Sequence, residues 1–185
     1  MSAGRRRIAV ALAAAALLAG VAAADARPAD RYAVEFRARS GGIFGHAYIA
    51  YGRLDERGRL LHPRYAGFYP SGMLEDTPLL AVLATPSLIK SRPRDVLRSD
   101  MVYRREIGAA MYAALPAEVR DLRRERPLWH LTFYNCNSFV ADLAEWMGLR
   151  VPGTLQLPRH FVRDLYVLNR RSAPGFVYAE TTRPR

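Results

Sequence analysis

What the chain lacks narrows its chemistry first. One cysteine stands among 185 residues, so no internal disulfide can form and no Cys-rich zinc site can be built. Cys136 is therefore inert, a dimerising thiol, or chemically active. No two of the four histidines fall at i, i+3 or i, i+4, and no carboxylates cluster beside them. The usual metal-ligand patterns are absent, and no cofactor is expected. Long apolar runs are missing too: the uncharged stretch Ile8 to Ala24 falls short of the ~20 residues a spanning helix needs. The chain carries no internal repeat and no low-complexity segment. Being half apolar and a quarter charged, it is neither a disordered protein nor a multi-span membrane protein, and its length fits one globular domain.

The N-terminus carries an export pattern. Arg5, Arg6 and Arg7 precede the uncharged run, and Ala24-Asp25-Ala26 supplies the small-x-small site that a signal peptidase reads. Cleavage after Ala26 is expected, leaving a single domain over residues 27–185 in a secreted or periplasmic location. No stable membrane span then remains, and with no Cys after the run, lipoprotein anchoring is excluded. Removing residues 1–26 takes the basic side chains from 28 to 25 and the acidic ones from 17 to 16, so the remainder stays at +9. Such charge suits an anionic wall polymer or a lipid surface. Export argues against nucleic acid. So does the cluster Arg120, Arg123, Arg124 and Arg126, which is broken by Asp121 and Glu125 and has no interleaved aromatics to stack bases.

The pattern predicts an α+β domain. Tyr32 to Arg39 alternates as a strand, Phe44 to Leu54 as a second, and Asp55-Glu56-Arg57-Gly58 turns the chain into a third over Arg59 to His62. Prolines and glycines over 63–78 predict a loop that covers a cleft, its Gly67-Phe68-Tyr69-Pro70 being too apolar for an idle solvent loop. Leu79 to Leu83 reads as a helical turn, Leu88 to Leu97 is ambiguous, and Tyr103 to Leu115 reads as a helix ending near Pro116. Leu128 to Tyr134 reads as a strand. A helix follows, with Asn135 as N-cap and Cys136, Phe139, Val140, Leu143 and Met147 on one stripe that closes at Gly148. A last helix spans His160 to Asn169. The expected architecture is an antiparallel sheet packed against the helix that carries the cysteine at its N-terminus.

That placement gives Cys136 chemical potential. Free N–H groups and the positive end of a helix dipole favour a thiolate and can receive an oxyanion. A thiolate persisting below the ~8.5 of a free cysteine is the expectation if a base stands beside it. On composition alone the plainer alternative is a buried small hydrophobe. His46, in an otherwise apolar strand, is the best base candidate; His62 is placed to orient its ring; His130 reads as structural and His160 as a cap or surface group.

A Gly-His-apolar strand early in the chain, with Asn135-Cys136-x-x-Phe139 at a helix start much later, resembles the circularly permuted papain-like fold of the NlpC/P60 superfamily, in its lecithin:retinol acyltransferase-like and PPPDE-like branches. The resemblance spans roughly residues 31–168 and implies Cys136 as nucleophile, His46 as base and His62 as the polar orienting residue. It departs at Ser138, where PPPDE-like members carry His, and over 63–100. It implies a cysteine-dependent hydrolase or acyltransferase. Tyr48, Phe68, Tyr69, Tyr134 and Asn135 are expected to line the substrate site, and a peptide amide of the bacterial cell wall is the expected substrate. The alternatives are a lipid acyl hydrolase or transferase and a non-catalytic envelope-binding module.

Overall fold

The computed structural model describes residues 30–41, 44–71, 84–90, 99–172 and 177–179. The expected signal segment and the Leu79 to Leu83 turn lie outside them. The sheet and helices belong to one compact unit, Arg31–Arg185.

Seven antiparallel strands form the sheet of the described residues: β1 (Tyr32–Arg39), β2 (His46–Leu54), β3 (Leu60–Pro70), β4 (Thr85–Lys90), β5 (Met101–Ile107), β6 (Leu128–Trp129) and β7 (Val177–Ala179), in the order β6-β4-β3-β2-β1-β5-β7. Three helices accompany it, α1 (Ala109–Glu125), α2 (Cys136–Trp146) and α3 (Pro158–Asn169). The α+β class and the antiparallel sheet follow the period-2 alternation of the sequence.

Alternation gives the sheet two distinct faces. Val34, Phe36 and Ala38 of β1, Ala47, Ile49 and Tyr51 of β2, Ala66 and Phe68 of β3, and Met101 and Tyr103 of β5 all belong to the buried apolar cluster. Phe139, Val140 and Leu143 of α2 and Phe161, Val162 and Leu165 of α3 close that cluster from the helix side. The register joins them directly, with Phe36 opposite both Ile49 and Tyr103. The other face carries polar and aromatic groups. There Glu35, only 2% exposed, accepts from Arg37 Nε at 2.7 Å and from Arg104 Nε at 2.8 Å. Arg104 also donates to the Gly58 carbonyl in the β2–β3 turn.

Several elements differ from the sequence expectation, each for a physical reason. β3 runs to Pro70, so residues 63–70 are strand where a loop is expected. Its breakers sit where a strand tolerates them: Pro63 at the irregularity between Tyr51 and Arg53, and Pro70 at the strand's last position. Tyr103 belongs to β5, paired with Phe36, and the helix starts only at Ala109. That helix continues through Pro116 to Glu125 because Leu115 and Leu122, two turns apart, are both buried and outweigh one lost N–H. Its end carries exposed Arg123 and Arg124, the solvated basic terminus that the sequence implies. The strand expected over Leu128 to Tyr134 is cut to two residues, because the chain folds at 131–133 into a turn closed by the His130–Tyr134 bridge.

Candidate active site

The site is built around the first turn of α2. Asn135 is in extended conformation and caps the helix: its Oδ1 accepts from the N–H groups of Asn137 (2.8 Å) and Ser138 (3.2 Å), while Ser138 Oγ accepts from Asn135 N at 3.2 Å. This reciprocal box fixes where the chain turns into helix. Two flanking segments are tied to the same turn. Asn135 Nδ2 donates to the Leu131 carbonyl (2.6 Å), and Asn137 Nδ2 donates to the carbonyls of Thr154 (2.9 Å) and Gln156 (2.7 Å).

Cys136 is the first helical residue and is 9% exposed. Its sulfur receives backbone N–H groups from Ala47 and from its own helical turn, and Arg39 adds a favourable charge; burial nevertheless dominates and pushes the thiol up from its ordinary value. The thiolate expected from the helix terminus is thus outweighed by desolvation, and the resting group is the neutral thiol. The contact with Ala47 is the informative one. It brings the thiol, from the helix side, to the start of β2, one residue beyond His46.

His46 lies at that same strand end but on the opposite face. Its ring stacks on Tyr69 with centroids 4.0 Å apart and lies parallel to Tyr48 at 5.8 Å. Gly67 makes this possible, since a Cβ there would stand 2.6 Å from His46 Nε2 and 2.9 Å from the Tyr69 ring. Just before His46, Gly45 turns the chain at φ +72°, where a Cβ would meet the Arg39 carbonyl at 2.8 Å and sit 3.7 Å from Pro158.

The other site candidates divide between the two faces. Phe68 packs on the helix side, stacked on Phe139 and edge-on to Tyr134. Tyr134 donates to Asp142 at 2.7 Å, and burial together with that carboxylate pushes its phenol strongly up. Tyr48 and Tyr69 lie on the His46 face, with the Tyr48 hydroxyl 3.0 Å from Ser99 Oγ. His62 is not brought to His46. It is exposed, at φ 44° in the irregular part of β3, seven residues or ~23 Å along the strand from Tyr69. The space beside His46 Nε2 belongs to Gly67 and Tyr69 instead. His130 serves the turn, its Nδ1 accepting from Thr132 N at 3.1 Å, and His160 is exposed on α3. No cluster of three metal-ligating side chains occurs among the described residues, and no described helix is long and apolar enough to cross a membrane.

Sequence reasoning missed Ser138, Asn137, Arg39 and Gly67. The first was legible as Asn-x-x-Ser ahead of an apolar stripe. The others depend on contacts between segments far apart in the chain, which no local pattern encodes.

No family model, curated protein or solved structure matches this chain. Its chemistry must come from the geometry.

Burial also sets the response to alkali, because it pushes up the Cys136 thiol and the phenols of Tyr51, Tyr103 and Tyr134. For such acids the unfolded chain releases its protons first, so stability is complete below the unfolded values, ordinarily 9.0 for the thiol and 10.0 for the phenols, and falls as pH rises through and above them. Thermal midpoints are expected to be level between pH ~7 and ~8 and to drop steadily above pH ~9. A midpoint unchanged up to pH ~11 would contradict this burial.

Proposed function

We propose that Cys136 is the nucleophile of a thiol hydrolase or acyltransferase of the bacterial envelope, with His46 as its proton acceptor and an amide bond of cell-wall peptide as the bond attacked. The observation that carries this is the placement of the thiol: first residue of a boxed helix, and in contact with the N–H that directly follows His46. His46 is the first residue of β2, at the sheet's end, and its Cα lies about 2.4 Å from the Ala47 nitrogen. The mechanism requires the imidazole to leave its stack on Tyr69 and reach the sulfur around the end of the sheet. Because the resting thiol is neutral, it attacks nothing until the imidazole takes its proton, which couples nucleophile formation to the filled site.

In the first step the S–H proton passes to the imidazole and the sulfur adds to the carbonyl carbon, and the N–H groups at the start of α2 hold the resulting oxyanion. The imidazolium then gives its proton to the leaving amine as the C–N bond breaks, leaving a thioester on Cys136. Water or a second amine, deprotonated by the same imidazole, resolves it. Asn135 and Ser138 position the helix end. The fold detail behind this mechanism, a permuted papain-like domain, is part of the same proposal, as are export and the anionic partner that the basic chain would meet.

Cys136→Ala is expected to abolish release of peptide from purified wall fragments, at least ~1,000-fold. Alanine at a 9% exposed thiol leaves the fold standing. Equal release by parent and variant would exclude the mechanism. A second function has an observation in its favour, namely that the His46 ring rests on Tyr69, away from the thiol: an envelope-binding module of the same fold, which predicts wall binding equal in parent and variant and no release by either.

A further inference from the structure

The turn at 131–133 is held in two ways, and only one of them depends on charge. Its ends are closed by backbone, His130 N donating to the Tyr134 carbonyl at 2.9 Å and Tyr134 N to the His130 carbonyl at 3.1 Å. Its tip is closed by a side chain: His130 Nδ1 accepts from Thr132 N at 3.1 Å and, more weakly, from Phe133 N at 3.4 Å. The Phe133 ring packs on the same imidazole, with centroids 4.5 Å apart, although Phe133 is 81% exposed. The imidazole thus fixes both the amides and the aromatic side chain of the tip.

A ring nitrogen accepts only while it carries no proton, so the neutral ring must hold its hydrogen on Nε2. Protonation places a hydrogen on Nδ1, facing the two amide hydrogens. The charged imidazole and the closed tip therefore exclude each other. Neighbouring charges do not offset this, because the contacts of His130 are those two amides, the Tyr134 backbone and the Phe133 ring. Of the ionisable groups around it, Asp142 of α2 accepts from Tyr134, and Arg126, after α1, lies over the Tyr134 ring and 4.0 Å from Asp142. Glu118 of α1 feels the same Asp142 carboxylate. β4 meets β6 through Thr85 and Pro86, neither of them ionisable, and the β3 stretch paired with β4 contains Tyr69, stacked on His46.

The same turn ties down the thiol end of α2. Its Leu131 carbonyl accepts from Asn135 Nδ2 at 2.6 Å, and Asn135 is the cap directly before Cys136. When the tip opens, the cap side chain loses that tie and the first turn of the helix can fray.

We propose that His130 is an acid-sensitive latch: neutral, it closes the 131–133 turn against the Asn135 cap; protonated, it opens the turn and makes Cys136 more accessible. The latch governs access to the thiol and stands whatever the thiol attacks.

The test follows the folded full chain at pH ~7.5 and ~5, spanning the range in which imidazoles change charge. Amide-exchange protection at Thr132 and Phe133 is expected to fall about five- to tenfold in acid, as the loss of one hydrogen bond implies, while the amide of buried Phe36 keeps its protection. In His130→Asn a carboxamide oxygen takes the place of Nδ1 and cannot be protonated, so its tip should be equally protected at both values. A pyridyl disulfide, which stays reactive in acid, should modify Cys136 at equal rates in parent and variant at pH ~7.5 and several times faster in the parent at pH ~5. A parent whose tip stays equally protected at both values, or loses protection without gaining thiol reactivity over the variant, would overturn the proposal. So would nitrogen chemical shifts showing the Nδ1–H tautomer in the parent at pH ~7.5, a readout that needs no variant.

Discussion

A Gly67→Ala protein is expected to lose turnover about 100-fold while keeping its thiol, because the added methyl displaces the base rather than the nucleophile. The new Cβ would stand 2.6 Å from His46 Nε2, 2.9 Å from a Tyr69 ring carbon and 3.2 Å from Tyr48 Cβ. Tyr48 is fully buried and its Cβ is fixed to the strand, so the imidazole and the Tyr69 ring must give way. Overpacking of this kind costs about 1–3 kcal/mol, and the imidazole loses the defined seat on Tyr69 from which it must turn to reach the thiol. Alkylation of Cys136 in unfolded protein should be unchanged, and the folded protein should melt a few degrees lower. Retention of full turnover with the lower midpoint would show that His46 takes no part in the reaction.

The largest stability loss is expected at Glu35. Its carboxylate is buried on the polar face of β1, an interior strand, held by Arg37 on its own strand and by Arg104 on β5. Glu35→Ala leaves two guanidinium groups facing each other around a small void. Breaking a buried ion pair by removing one partner costs about 3–5 kcal/mol; the lower end applies because the Arg37 and Arg104 side chains keep 18% and 25% of their exposure. Urea unfolding should show this as a lower midpoint with an unchanged slope. Glu35→Gln, which keeps the shape and one acceptor oxygen, should recover part of the loss. A loss below about 1 kcal/mol for Glu35→Ala would place the pair among surface bridges that contribute little.

These two positions also mark what the sequence could reveal. The alternation of β1 and the apolar stripe of α2 are local patterns, so the sheet and the cysteine helix are legible directly. Asn135 as N-cap is legible because capping needs only a side chain two or three residues away. The course of β3 is not. Pro63, Gly67 and Pro70 read as loop residues, and only the pairing with β2 shows that one falls at an irregularity, one under an imidazole and one at a strand end. His62 is the third residue of β3, beside the hairpin turn where Leu61 pairs with Arg53, whereas His46 starts β2 at the hairpin's open end, so the antiparallel register keeps the two apart. The thiol's electrostatics follow the same logic. A helix N-terminus is visible in sequence and favours thiolate, whereas the burial that outweighs it arises from the packing of α2 onto β2 and β3.

Intact mass after incubation with wall peptides that bear a slowly resolved acyl donor tests most directly whether Cys136 performs acyl transfer. The expected result is a single covalent adduct equal to the acyl fragment, mapped to Cys136, reversed by hydroxylamine as a thioester should be, and absent from Cys136→Ala and His46→Ala. A folded parent that releases no peptide and acquires no adduct, while still binding the same fragments, would contradict acyl transfer and leave a binding module.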